Sequence, residues 1–265
     1  MKRIEETVKK FFFKTLSFKQ YLSLVSKIYF LLYKPGILKF RPLFKYHYFL
    51  KSVINKNDVV IDIGANLGYF SKPFSVWVGS KGKVYCIEPV KQVREVLERN
   101  VRKIQNIKVI PYALGNENRK VRLGNNTRKN KGFIASGSHF ILENNATALD
   151  EFSAEMKKGS ELFGNLKRLD FIKCDVEGYE TVIIPELKDI LLKHKPIILI
   201  ETRKEKRKFL LKYLSNIGFY GFILENGKLF SLSEIEKKTE DDILFIHKDK
   251  IDPLNDYIEP NLKKS

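Results

Sequence analysis

Polar and apolar positions alternate between two periods along most of this chain of 265 residues. Residues 58–63 form a short β-rich run that stops at a glycine turn, and 69–78 follow as a helix. Residues 83–87 predict a second strand. Val93, Val96, Leu97, Val101 and Ile104 recur at helical spacing, so 90–104 reads as a helix before a third strand at 108–110. The pattern then changes. Residues 112–150 are rich in Gly, Asn and Ser, with short apolar runs at 121–123 and 133–135, which predicts hairpin or lid material. Strands at 171–174, 197–200, 219–224 and 243–246 and helices at 179–193 and 203–217 complete the series, with Pro185 removing one backbone donor inside its helix. Such alternation predicts a doubly wound, mostly parallel α/β sheet, whose ligands bind beyond the carboxyl ends of the strands.

The segment before this series behaves differently. Phe18, Leu22, Val25, Ile28, Tyr29 and Leu32 share one helical face; Lys19, Ser23, Lys27 and Lys34 share another; Pro35-Gly36 ends the helix. The apolar face either packs on the domain or lies on an anionic membrane. The run from Tyr21 to Tyr33 falls short of the ~20 residues that cross a bilayer, and lysines at 14, 19 and 27 break up any signal-peptide core. The chain therefore divides into a basic, aromatic, helical extension (1–50), a main domain (51–250, with the insert 112–150) and a tail (251–265).

Charge sharpens that division. The net charge is +18, and residues 1–57 carry +11 of it through thirteen Lys/Arg against two Asp/Glu. The excess calls for an anionic partner without choosing among nucleic acid, membrane surface and acidic substrate. Cys86 and Cys174 are too few for a disulfide framework, which suits the reducing cytoplasm. The four histidines show no metal-ligand spacing, and no metal is expected; His139 lies in the insert, where it could reach an acceptor.

The chemistry concentrates at Val59-Val60-Ile61-Asp62-Ile63-Gly64-Ala65-Asn66-Leu67-Gly68-Tyr69. Gly64 and Gly68 permit a tight turn and close backbone approach to a ligand. Asn66 stands where a dinucleotide fingerprint needs its second glycine, and no Gly-Lys-Ser/Thr follows, so pyrophosphate and P-loop readings fail. An acid just before the turn suits a ligand with an ammonium group and no pyrophosphate, and S-adenosylmethionine has that form. Glu88 lies 20 residues past Gly68 at the end of the second strand, where a carboxylate can accept from both ribose hydroxyls.

DIGANLGYFS, IEP, PYALG, LDFIKCDVEGYE and PIILIE, in this order, resemble the FkbM family of S-adenosylmethionine-dependent methyltransferases over residues 58–201, with a compatible strand at 242–247. The resemblance implies a class I methyltransferase (Rossmann-like) fold, a seven-stranded sheet with its last strand antiparallel. It implies S-adenosylmethionine as cofactor and O-methylation of a hydroxyl on a sugar, glycan, lipid-linked glycan or natural product. Asp62, Gly64, Ala65, Asn66, Gly68 and Tyr69 would line the methionine end, Glu88 the ribose, and Ala113 and Leu114 the adenine. The loop after the fourth strand would face the transferable methyl, which makes Asp175, then Glu177, the candidate general base. Glu180 reads as structural; Glu201 could line the acceptor pocket. The acceptor would be a small-molecule or glycan hydroxyl, with peripheral contact to an anionic membrane through 1–50. The oligomeric state is not legible. Two other functions stay open: an RNA methyltransferase, against which Asp-Val-Glu-Gly replaces the Asn/Asp-Pro-Pro-Tyr of amino-methylating enzymes, and a non-catalytic membrane-associated protein with a degenerate fold.

Overall fold

In the computed structural model, which describes residues 2–232 and 241–259, the predicted strands assemble as one eight-stranded sheet. Its members are β1 (Val59–Ile63), β2 (Lys83–Ile87) and β3 (Ile107–Ile110). An insert supplies β4 (Tyr112–Gly115), β5 (Arg119–Asn125), β6 (Phe140–Leu142) and β7 (Asp150–Lys158). The main sheet resumes with β8 (Phe171–Cys174), β9 (Ile197–Glu201), β10 (Phe219–Glu225), β11 (Lys228–Ser231) and β12 (Asp242–His247). The main order is β11-β10-β12-β9-β8-β1-β2-β3. The five strands from β9 to β3 run parallel, and β12 is antiparallel to both its neighbours. Seven of these strands follow the expected order. The eighth, β11, is a hairpin on β10 closed by Asn226-Gly227, both at positive φ (48° and 79°), the conformation a two-residue turn of this twist needs.

Strand periodicity splits the core into two faces. Ile61, Ile63, Ile172 and Cys174 pack under the helices Glu180–Glu186, Lys188–His194 and Lys204–Asn216. Val60, Phe171, Leu199 and Leu244 pack under the helix Ser71–Val78 and under Tyr46 and Leu50 of the N-terminal segment. Cys86 and Cys174 are both free and buried. The single helix expected at 179–193 is two: Pro185 supplies no N–H, and the chain turns at Leu187 between them.

The insert is a second, four-stranded sheet of order β4-β7-β5-β6 and runs on to Lys158, past the expected limit at 150. Residues 133–135 form no strand; Phe133 is instead buried 6.3 Å from the ring of Tyr21. Leu123 and Phe133 meet Tyr21 and Leu22 of the helix Phe18–Tyr33, which packs on Val93 and Val96 of the helix Lys91–Val101. This helix, preceded by another at Lys2–Thr15 and opened by a capping box between Ser17 and Gln20, thus docks on the domain. Its buried face is rotated from the expected one: Tyr21, Leu22, Ser26 and Tyr29 are covered, whereas Ile28 is exposed. Aromatic partners on the insert and at Tyr69 draw the helix round by its tyrosines. The tail also packs, with Tyr257 against Phe49 and Ile258 bridged to Leu229; its last six residues lie outside the described ones.

Leu22 is 1% exposed in this interface. Leu22→Ala is expected to destabilise the protein by about 2–5 kcal/mol, read by urea unfolding of the full chain. A loss under about 1 kcal/mol would mean that the helix is not packed on the domain in solution.

Candidate functional site

Three loops meet at the carboxyl ends of β1, β2 and β8. The N–H groups of Gly64 and Ala65 donate to the Ile87 carbonyl at 3.0 and 2.9 Å, and the Asp175 N–H donates to the Ile63 carbonyl at 3.1 Å. Gly64 sits at φ +77°, and a Cβ there would fall 1.9 Å from the Asp175 carbonyl oxygen. Only glycine allows this approach. The loops border a cleft lined by Gly64, Asn66, Glu88, Ala113, Leu114, Asp175 and Glu177, with Ile87 and Ile183 as apolar wall.

Glu88 is buried at the end of β2. Its Oε2 accepts from the Asn66 N–H and its Oε1 from the Val90 N–H, each at 3.0 Å. Burial pushes its carboxyl up to about 7 despite these bonds. A carboxylate offers about four lone-pair sites, so each oxygen keeps one for a hydroxyl. The side-chain Oδ1 of Asn66 is buried without a partner. An acid with two free acceptor sites, an orphaned amide oxygen and an apolar wall beside Leu114 fit the ribose, polar end and adenine of S-adenosylmethionine.

Four residues expected on this wall lie behind it. Gly68 packs on Leu97, with 2.9 Å between its would-be Cβ and Leu97 Cδ1. Ala65 joins the core, and the Tyr69 ring lies tilted against Tyr29, 4.2 Å between ring centres. Asp62 is wholly buried one layer down. It is paired across the sheet with Lys173 of β8, so the two side chains share a face. Lys173 Nζ lies 3.8 Å from Asp62 Oδ1, donates to Asp175 Oδ2 at 3.0 Å, and sits 5.1 Å from the Phe70 ring centre. The Asp62 Oδ2 accepts from Ser71 Oγ at 2.5 Å, at the start of the helix Ser71–Val78. Burial opposes the charge of Lys173, but the Asp175 and Asp62 carboxylates outweigh it and hold the ammonium protonated. His47 of the N-terminal segment stacks on Phe70 at 3.7 Å. Burial, then Lys173, draws the His47 pKa down to about 3, so its ring is neutral. Sequence reasoning passed over Lys173; the available signal was one charge inside an otherwise apolar strand.

One step further along the same face stands an acidic row. Glu201 and Asp242 are direct partners of β9 and β12, and Asp175 stands just past the end of the neighbouring strand β8. Burial and then the Asp175 charge push the Asp242 carboxyl up to about 7. Glu201, which still meets solvent, moves up for the same two reasons. Glu177, at φ +53°, accepts from Arg203 at 3.0 Å, and burial raises it. Glu180 is buried and accepts from the N–H of Gly178 at 2.9 Å, which pins the loop. The insert closes the other side. Gly137 approaches Asn66, and Tyr179 bonds Glu143 of the insert at 3.1 Å. His139 lines the cleft; its Nδ1 bonds the Ser136 carbonyl at 2.9 Å, so Nδ1 carries the proton and the unpartnered Nε2 keeps a lone pair.

The Methyltransferase FkbM domain model matches residues 62–224, well over half of the chain. The crystal structure of the methyltransferase FkbM from Methylobacillus flagellatus superposes with a TM-score of 0.51 at 15% identity, covering 74% of this chain and 48% of that one. The chain thus spans about half the length of that protein, and a likeness at this identity shows the fold. Weaker superpositions reach fibrillarin from Aeropyrum pernix, solved with bound S-adenosyl-L-methionine (TM-score 0.41, 14% identity, 72% and 67% covered). An rRNA methylase from Streptococcus thermophilus gives 0.45 at 12% identity, with 78% and 96% covered. With the glycine turn, the buried Glu88 and the sheet order in place, the chain belongs to the FkbM family of S-adenosylmethionine-dependent methyltransferases.

Proposed function

We propose that this methyltransferase acts on a hydroxyl of a small molecule or glycan. The observation that supports this reading is the carboxylate edge of the cleft, Asp175 and Glu177 on its wall, with Glu201 and Asp242 in the adjoining row. S-adenosylmethionine supplies an electrophilic methyl on a sulfonium. A hydroxyl attacks it well only as its proton leaves, so a carboxylate within hydrogen-bond reach of the hydroxyl does the needed work. Asp175 is kept in place by Lys173 at 3.0 Å, and so presents its other oxygen as an acceptor. Glu177, turned by its left-handed backbone and held by Arg203, stands beside it on the wall. Neutral His139 supplies a further lone pair from the insert. The unbroken glycine turn and the two free acceptor sites of Glu88 speak against a degenerate, non-catalytic fold.

Asp175→Asn is expected to lower methyl incorporation from labelled cofactor into host glycan or small-molecule extracts by roughly 10²–10⁴-fold. Cofactor affinity should stay nearly unchanged by calorimetry. Full activity of this variant would remove Asp175 from the proton transfer.

Glu88 gives a pH signature of opposite signs. Its folded pKa, about 7, lies above its ordinary value, so without cofactor its contribution to stability is present below about pH 4.5 and is lost as pH rises through 7. Ribose recognition needs the ionised form, so cofactor affinity should rise over the same range. Glu88→Gln is expected to flatten both dependences and to weaken binding by roughly 1–3 kcal/mol, measured by thermal melts and calorimetry at several pH values. Unchanged slopes would refute the ribose role.

A further inference from the structure

Twelve large apolar side chains are exposed among the described residues, and seven of them lie between Val8 and Leu43. Five fall within the sixteen residues from Ile28 to Leu43, and three of these are far out in solvent: Leu31 at 73%, Phe40 at 89% and Leu43 at 80% exposure. Single exposed apolar residues are ordinary, but a cluster of this density marks an interaction surface. Ile28 and Leu31 are exposed on the helix Phe18–Tyr33, Leu31 on the side away from the docked Tyr21 and Tyr29 and Ile28 at the edge of the docked face. Ile37, Phe40 and Leu43 stand on two short 3₁₀ turns, Ile37–Phe40 and Pro42–Phe44, which pack on each other and, through the first, on that helix.

Charge accompanies these side chains. Between Glu6 and Asp58 the sequence holds eleven Lys/Arg and no acid at all. Lys27, Lys34, Lys39 and Arg41 are exposed among the apolar residues. No helix among the described residues is long and apolar enough to cross a membrane. We propose that residues 27–43 form a docking surface for an anionic phospholipid membrane, with Phe40 and Leu43 entering the acyl boundary and the lysines meeting the headgroups. An RNA partner would use the cations but give Ile28, Leu31, Ile37 and Leu43 nothing to bury against. A second copy would bring two patches of the same positive sign together. The membrane alone uses both features. The chain runs from this surface into the helix Lys45–Phe49, whose His47 stacks on Phe70 next to Lys173, so the segment leads to the ion cluster beside the cleft.

Removal of the whole N-terminal helix would uncover Val93, Val96 and Phe133, so point variants of exposed side chains make the test. Full-length protein is sedimented with phosphatidylcholine vesicles, with and without phosphatidylglycerol, at low and high salt. Partition onto the anionic vesicles is expected to be at least roughly tenfold stronger and to weaken with salt. The double variant Phe40→Ser/Leu43→Ser keeps the charge and should lose roughly tenfold or more of that partition. Lys34→Glu/Lys39→Glu should abolish it. Both should keep the melting temperature and cofactor affinity of the parent. The proposal falls if the parent shows no preference for anionic vesicles, or if Phe40→Ser/Leu43→Ser binds them like the parent. It also falls if the same variants act instead on a dimer seen by ultracentrifugation or on RNA binding in the absence of vesicle binding.

Discussion

A lysine ammonium buried within a parallel sheet must be matched by charge, and that requirement organises this molecule. Lys173 lies in a strand whose four residues are all buried. Its two carboxylates come from different places: Asp62 from the neighbouring strand and Asp175 from the loop beyond its own. Removing one partner from such a group costs about 3–5 kcal/mol, so β1, β8 and the loop after β8 are held in one register by electrostatics as well as by the ladder. Asp62 also binds Ser71 and so fixes where the next helix begins. Phe70, just before that helix, presents its ring to the ammonium, and His47 stacks on Phe70. The N-terminal segment is thereby tied to the centre of the sheet.

This ion cluster separates two environments in the cleft. On one side Glu88 is buried and hydrogen-bonded by two backbone N–H groups, which orient it without neutralising it. On the other, beside the cleft, Glu201 and Asp242 lie next to Asp175, and burial, then the Asp175 charge, raises the proton affinity of Glu201 and Asp242. A site for a cationic methyl donor gains from such a field. Of the net charge of +18, +11 lies in residues 1–57.

The extension shows how a correct pattern can carry two meanings. Helical spacing at Phe18, Leu22, Val25, Ile28, Tyr29 and Leu32 did announce a helix, and the capping box at Ser17 and Gln20 starts it there. The face it buries was not legible, because Tyr21 and Tyr29 find aromatic partners in Phe133 and Tyr69, far away in sequence. The same displacement leaves Ile28 outside, beside Leu31 and the lysines. The side of the helix that packs on the domain leaves Ile28 and Leu31 to solvent.

The sequence by itself determined the sheet and most of the cleft. Period-two and helical patterns marked seven strands in order, and the spacing from Gly68 to Glu88 identified the turn and its acid, because these are local properties of short segments. Gly64, Asn66, Glu88, Ala113, Leu114, Asp175 and Glu177 all reach the cleft wall. The Asn226-Gly227 hairpin was equally local and was overlooked. The tertiary structure alone decided that Asp62 faces a buried lysine instead of the cleft, that Tyr69 serves the N-terminal helix, and that the insert forms a sheet of its own with His139 on the cleft wall. Each depends on a partner many residues distant: Lys173 for Asp62, Tyr29 for Tyr69, β4 beside β7 for the insert. A strand's own pattern says which residues share a face, but only the neighbouring strand and the helices above it say what that face meets.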